Sequence, residues 1–109
     1  MTKIRFFKKG EDFVRIESRG HSGYAKSGED IVCAGISSLT QGAALGIMKV
    51  VGVNAQYAID EKKGELILEL PEDISEEKMH DCSVLLKTLY LSVSDLAEEY
   101  SEFISVEVK

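Results

Sequence analysis

The sequence predicts a two-layer α+β domain of ββαββαβ order, with two helices covering one antiparallel or mixed sheet. Three observations carry that expectation. Two pairs of short strand-like segments are each joined by a glycine-containing turn. A long stretch of small and apolar residues follows the first pair, and an apolar repeat at spacings of three and four follows the second. At 109 residues, 44% hydrophobic and 29% charged, the chain reads as a single globular domain, 1–109, with enough core to need no disulfide or metal staple.

Ile4–Lys8 is a short apolar segment and Phe13–Ser18 alternates after Phe13, with turn chemistry at Lys9-Gly10-Glu11-Asp12 between them, so a hairpin opens the chain. Residues 20 to 32 form a loop holding Gly20, Gly23 and Gly28, longer than a compact domain ordinarily spends on a connection. A helix is expected from about Cys33 to Val51. Ile36, Leu39, Ala43, Ile47 and Val50 make its apolar stripe, Ala34, Ala44, Leu45, Met48 and Val51 fill much of the rest, and Lys49 is its one charge. A helix apolar nearly all round is buried on more than one side. Its Gly35, Gly42 and Gly46 imply close approach of another backbone, within the sheet packing or at a subunit interface.

A second hairpin follows, Ala55–Asp60 and Glu65–Leu70, joined by Glu61-Lys62-Lys63-Gly64 and stopped by Pro71. Asp73 with Glu76 three residues on has the pattern of a capping box. Met79, Cys82, Leu86, Leu89, Val93, Leu96 and Tyr100 then trace an amphipathic helix, and Phe103–Val108 closes the chain as a strand.

The net charge of −6 argues against a nucleic-acid footprint and fits the attraction of a basic polypeptide. A secretory signal and an apolar run of membrane-spanning length are not expected, which points to the cytoplasm and away from a membrane. In that compartment a structural disulfide is out of place, so Cys33 and Cys82 need separate explanations.

The chemistry concentrates in Gly20-His21-Ser22-Gly23-Tyr24-Ala25 and Asp30-Ile31-Val32-Cys33-Ala34-Gly35-Ile36-Ser37. Alone, a cysteine in an apolar helix is a small buried hydrophobe. At a helix N-terminus the unpaired N–H groups favour the thiolate, and the amides of Cys33 and Ala34 could also hold an oxyanion. His21, in a glycine-rich setting with little bulk around it, is the natural base. Asp30 either orients the imidazole or caps the helix, and Ser37, one turn beyond Cys33, either meets the substrate or bonds back to its own helix. Tyr24 either lines the cleft or is a half-buried loop tyrosine.

These two motifs resemble the ribosomal-processing cysteine proteases, the Prp or YsxB family, most specifically over residues 20 to 37 and more loosely, by length and element order, over the whole chain. The resemblance implies a cytoplasmic homodimer that removes the N-terminal extension of the precursor of the twenty-seventh large-subunit ribosomal protein. It implies Cys33 as nucleophile and His21 as its base, with Asp30 and Ser37 in support. Gly20, Gly23 and Tyr24 would belong to the substrate loop, and no cofactor or metal would be needed.

Three rivals are weaker. His21, Cys33, His80 and Cys82 are zinc-binding types, but no Cys-x-x-Cys pair exists and His80 and Cys82 point apart on a helix. Gly20 to Ser27 approaches a phosphate-binding loop, yet Ala25 stands where its second glycine belongs, and Gly28-Glu29-Asp30 follows instead of a helix. A non-catalytic ribosome-assembly or protein-binding module, its cysteine redox-sensitive or structural, is the remaining alternative; an inert Cys33 thiol would favour it.

Overall fold

A computed structural model describes residues 1–26 and 30–109; Ser27, Gly28 and Glu29, and with them the end of the phosphate-loop-like stretch, lie outside the described residues. The two N-terminal segments form β1 (Thr2–Lys9) and β2 (Asp12–Arg19), paired antiparallel with a register shift between Phe7 and Lys8. The second hairpin forms β3 (Gln56–Asp60) and β4 (Glu65–Glu69). The last strand is β5 (Ile104–Val108). The sheet has five strands in the order β3-β4-β2-β1-β5. It is mixed: β5 lies parallel to β1 and every other pairing is antiparallel. That parallel pairing needs a crossover, supplied by α2 (Glu76–Glu99), whose 24 residues reach about 36 Å at 1.5 Å per residue.

Both helices lie on one face. Ile4, Phe6, Ile16, Leu68 and Ile104 point from the sheet into a core shared with Val32, Ile36, Ala44 and Ile47 of the first helix and Cys82, Leu86, Leu89 and Val93 of α2. The repeat read along α2 is therefore its core face. The other face of the sheet carries charged side chains. Arg15 pairs with Glu17 at 2.8 Å and Glu69 at 3.2 Å, and Arg5 with Glu107 at 3.3 Å. Ion pairs at or near the surface are weakened by water, so the core carries the stability.

The first helix departs from expectation at both ends. α1 runs Ile31–Leu45, beginning two residues before Cys33, because Asp30 caps it. From Gly46 to Val51 the chain continues as a wider π-type turn, ended where Gly52 and Val53 both donate to the Ile47 carbonyl. Widening rotates the last residues, and Val50, expected on the core stripe, is 85% exposed. The glycines admit side chains of α2 rather than another backbone: a Cβ on Gly46 would lie 3.1 Å from Leu85 Cδ1, one on Gly35 would lie 3.6 Å from Leu96 Cδ2, and Gly42 faces open space. The expectation of no membrane-length apolar run is also corrected. Ile31–Val51 is long and apolar enough for one by length and composition, with mean hydropathy 1.6. In the fold its Val32, Ile36, Ala44 and Ile47 are spent on the core. The cap of α2 is Ser75, which accepts from the Lys78 amide, not Asp73. Two residues nearer the first turn, Ser75 is the side chain that reaches its free N–H groups.

Candidate active site

The loop after β2 is fixed at its base by backbone. The Gly20 amide donates to the Gly64 carbonyl at 3.0 Å, and Thr2 Oγ1 donates to the Gly20 carbonyl at 3.4 Å. Neither glycine tolerates a side chain. A Cβ on Gly20 would sit 2.5 Å from the Met1 carbonyl oxygen, and one on Gly64 would sit 2.9 Å from the Gly20 oxygen. The Gly64 Cβ would also strike the His21 imidazole, 2.9 Å from Cε1 and 3.0 Å from Nε2. His21 therefore rests its ring against the bare backbone of the β3–β4 turn.

Cys33 occupies the third position of α1. Asp30 Oδ1 accepts from the amides of Val32 and Cys33 at 3.0 and 2.9 Å, which makes Asp30 a helix cap. Its other oxygen, Oδ2, accepts from the Ser22 hydroxyl and, at 3.4 Å, from the Ala25 amide. Burial works against its charge, but the Ser22 hydroxyl and the Cys33 and Ala25 amides outweigh that and lower its pKa from 3.8 to about 2. Asp30 is ionised at neutral pH. Among the described residues His21 forms no hydrogen bond with Asp30 or Cys33; Asp30 ties the loop to the helix instead of orienting the imidazole. The amides of Cys33 and Ala34, expected to face an oxyanion, are both engaged here: the first donates to Asp30 Oδ1, the second to the Asp30 carbonyl at 3.0 Å as the opening bond of the helix. A capped first turn spends its N–H groups on the cap.

His21 and Cys33 open onto one groove of about 200 Å³, between α1 and the β3–β4 hairpin. Ser37 and Thr40 continue the wall of α1 beyond Cys33, and Gly20 lies at the groove's base. The opposite wall carries Ile59 with three carboxylates, Asp60, Glu61 and Glu65. Tyr24 is outside the groove lining. It packs edge-on against Tyr100 and Phe103, ring centroids 5.7 and 5.4 Å away, and so pins the loop to the end of α2. Gly23 makes the bend between the two groups, with φ +77°. The structure thus brings together Gly20, His21, Cys33 and Ser37, and separates Gly23 and Tyr24 from them. His80 is exposed on α2 and Cys82 fully buried there, apart from the two groove residues with which a zinc site would need them to converge.

Sequence reading passed over Ser22, Gly64 and the acidic wall. Ser22 lies inside the motif but no spacing rule marks it; Gly64 reads as an ordinary turn glycine, and its contact with His21 arises only when the two hairpins come side by side.

A thiol at a helix N-terminus with an imidazole on the same groove is the arrangement of the cysteine peptidases. The sequence profile of the family described as "Cysteine protease Prp" matches residues 1–105, and the chain belongs to that family. It is 27% identical to the ribosomal processing cysteine protease Prp of Bacillus subtilis over 90 residues, 83% of this chain and 80% of that one. The Staphylococcus aureus protein of the same name is also 27% identical, over 83% of this chain and 81% of its own length. The fold superposes on the crystal structure of S. aureus Prp with a covalently linked product peptide at a TM-score of 0.88, 23% identity and full coverage of both chains. It superposes on SMU.848 from Streptococcus mutans at 0.84, with 23% identity over 99% of this chain and 93% of that one. The protein is a cysteine protease.

Proposed function

We propose that this protease removes the N-terminal extension from the precursor of the twenty-seventh large-subunit ribosomal protein, in the cytoplasm, with Cys33 as nucleophile and His21 as acid and base. The observation that carries the reading is the meeting of Cys33 and His21 on one groove in a chain of this family. The thiolate attacks the scissile carbonyl, forming the C–S bond and a tetrahedral oxyanion. Collapse breaks the C–N bond while His21 gives its proton to the departing amine. His21 then takes a proton from water, whose oxygen attacks the thioester; the carboxylate leaves and the thiol is restored. Ser37 stands further along the wall, in reach of the substrate chain. The acidic wall and the net charge of −6 suit a basic substrate.

Reaching the sulfur requires His21 to turn off the Gly64 backbone, since catalytic hydrogen bonds commonly tighten only with substrate present. The glycine-rich segment that carries His21 closes over the peptide in this reading, and the amides of residues 20–26 gain hydrogen-exchange protection when peptide binds. The active form is a homodimer, a reading supported by Leu45, Val50, Val84 and Leu91, large apolar side chains left exposed on the two helices; sedimentation at working concentration checks it.

Mass spectrometry of the precursor after incubation with the protein decides the function. One cut by the wild type and none by Cys33→Ala supports the proposal. An intact precursor with the wild type, or the same cut by Cys33→Ala, refutes it.

A further inference from the structure

Ser22 has no part in the mechanism above, yet it makes more polar contacts at the site than any residue except Asp30. It is 2% exposed, so its hydrogen bonds must be found inside the protein. Its hydroxyl donates to Asp30 Oδ2 and accepts from the Tyr24 amide at 3.4 Å. Its Oγ also lies 3.3 Å from Cys33 Sγ, and its amide donates to that same sulfur at 3.3 Å.

A hydroxyl has one proton and two lone pairs, whereas an ionised carboxylate only accepts. Between Asp30 and Cys33 the Ser22 proton belongs to Asp30, because a charged oxygen is the stronger acceptor. A lone pair of Oγ then faces the sulfur, and the thiol donates to it. The sulfur accepts from the Ser22 amide in return. Other charged or titratable groups on the groove are His21 from the loop and Asp60, Glu61 and Glu65 from the opposite wall; none of them is hydrogen-bonded to the sulfur among the described residues.

We infer that Ser22 is a positioning residue for the nucleophile: it grips the resting Cys33 sulfur between a backbone N–H and a hydroxyl oxygen whose own proton Asp30 holds. The inference rests on Cys33 being the nucleophile. One consequence follows from the geometry: the Cys33 side chain keeps one rotamer, with its sulfur aimed by Ser22.

Peptide-cleavage kinetics on the intact protein test this. Ser22→Ala removes the hydroxyl that aims the sulfur, so kcat falls about tenfold while KM is unchanged. Ser22→Thr keeps the hydroxyl and restores the wild-type kcat.

A wild-type kcat in Ser22→Ala, or a loss that Ser22→Thr does not restore, overturns the inference. Should Ser22→Ala fail to fold, a wild-type kcat in Ser22→Gly overturns it instead. Failure of the functional reading looks different: Cys33→Ala would still cut. Loss of cleavage in Cys33→Ala with an unmoved Ser22→Ala removes the role of Ser22 alone.

Discussion

The two cysteines occupy opposite settings in the same layer of helices. Cys82 is fully buried in the second turn of α2, surrounded by core, and burial foremost, with Asp81 beside it, pushes its thiol pKa up. Cys33 stands at the capped start of α1, on a groove, with its sulfur held by Ser22 and His21 opening on the same space. One is a small hydrophobe that fills the core; the other is presented. What separates them is the backbone position: Cys82 faces the core from inside a helix, while the start of α1 opens onto the groove.

The largest expected effect separates them directly. Cys33→Ala lowers precursor cleavage roughly a thousandfold or more with little change in Tm, whereas Cys82→Ala keeps its kcat and loses about 1–2 kcal/mol of stability, read by urea titration. Equal loss of activity in both variants would break the contrast. Native-state alkylation sharpens it: Cys33 reacts at least about a hundredfold faster than Cys82, which is labelled only on unfolding.

Next in size is Gly64→Ala. Its Cβ would stand 2.9 Å from both the Gly20 oxygen and His21 Cε1, so the imidazole is displaced; kcat falls about ten- to a hundredfold while α2 and Cys82 are unaffected. Smaller again is the acid response of Asp30. Its folded pKa of about 2 lies below the ordinary 3.8, so its contribution to stability is present above pH 3.8 and is lost as pH falls towards 2. Asp30→Asn flattens that part of the acid-unfolding curve; a curve unchanged by the substitution would remove Asp30 from the tie between loop and helix. Smallest is the acidic wall. Glu61→Lys lowers kcat/KM for a basic substrate about two- to threefold at low salt, and the difference closes at high ionic strength.

Much of the fold is legible in residue order. The apolar repeat from Met79 to Tyr100 specifies α2 and its buried face, since its period matches one backbone geometry. The alternation after Phe13 marks a strand, but the register shift opposite Phe7 and Lys8 puts both Phe13 and Ile16 in the core. The end of the first helix was less legible. Ile36 and Ile47 lie in the core as the repeat requires, but Val50 does not, because the π-type turn after Gly46 breaks the 3.6-residue phase on which the repeat depends. Of the site, His21 and Cys33 stand out from their local setting. The choice between cap and imidazole partner for Asp30 could not be read, since both use the same carboxylate and differ only in which atoms come within 3 Å.

The sequence alone determined the α+β class, the placement of a thiol at the head of a helix and the histidine in its glycine-rich loop, because each is a matter of neighbours along the chain. The tertiary structure decided the rest. It set the parallel return of β5 beside β1, the rest position of His21 on Gly64, and the engagement of Ser22 with both Asp30 and Cys33. These pair atoms far apart in the chain or across a loop, and their geometry exists only once burial has closed the hairpins and helices on one core.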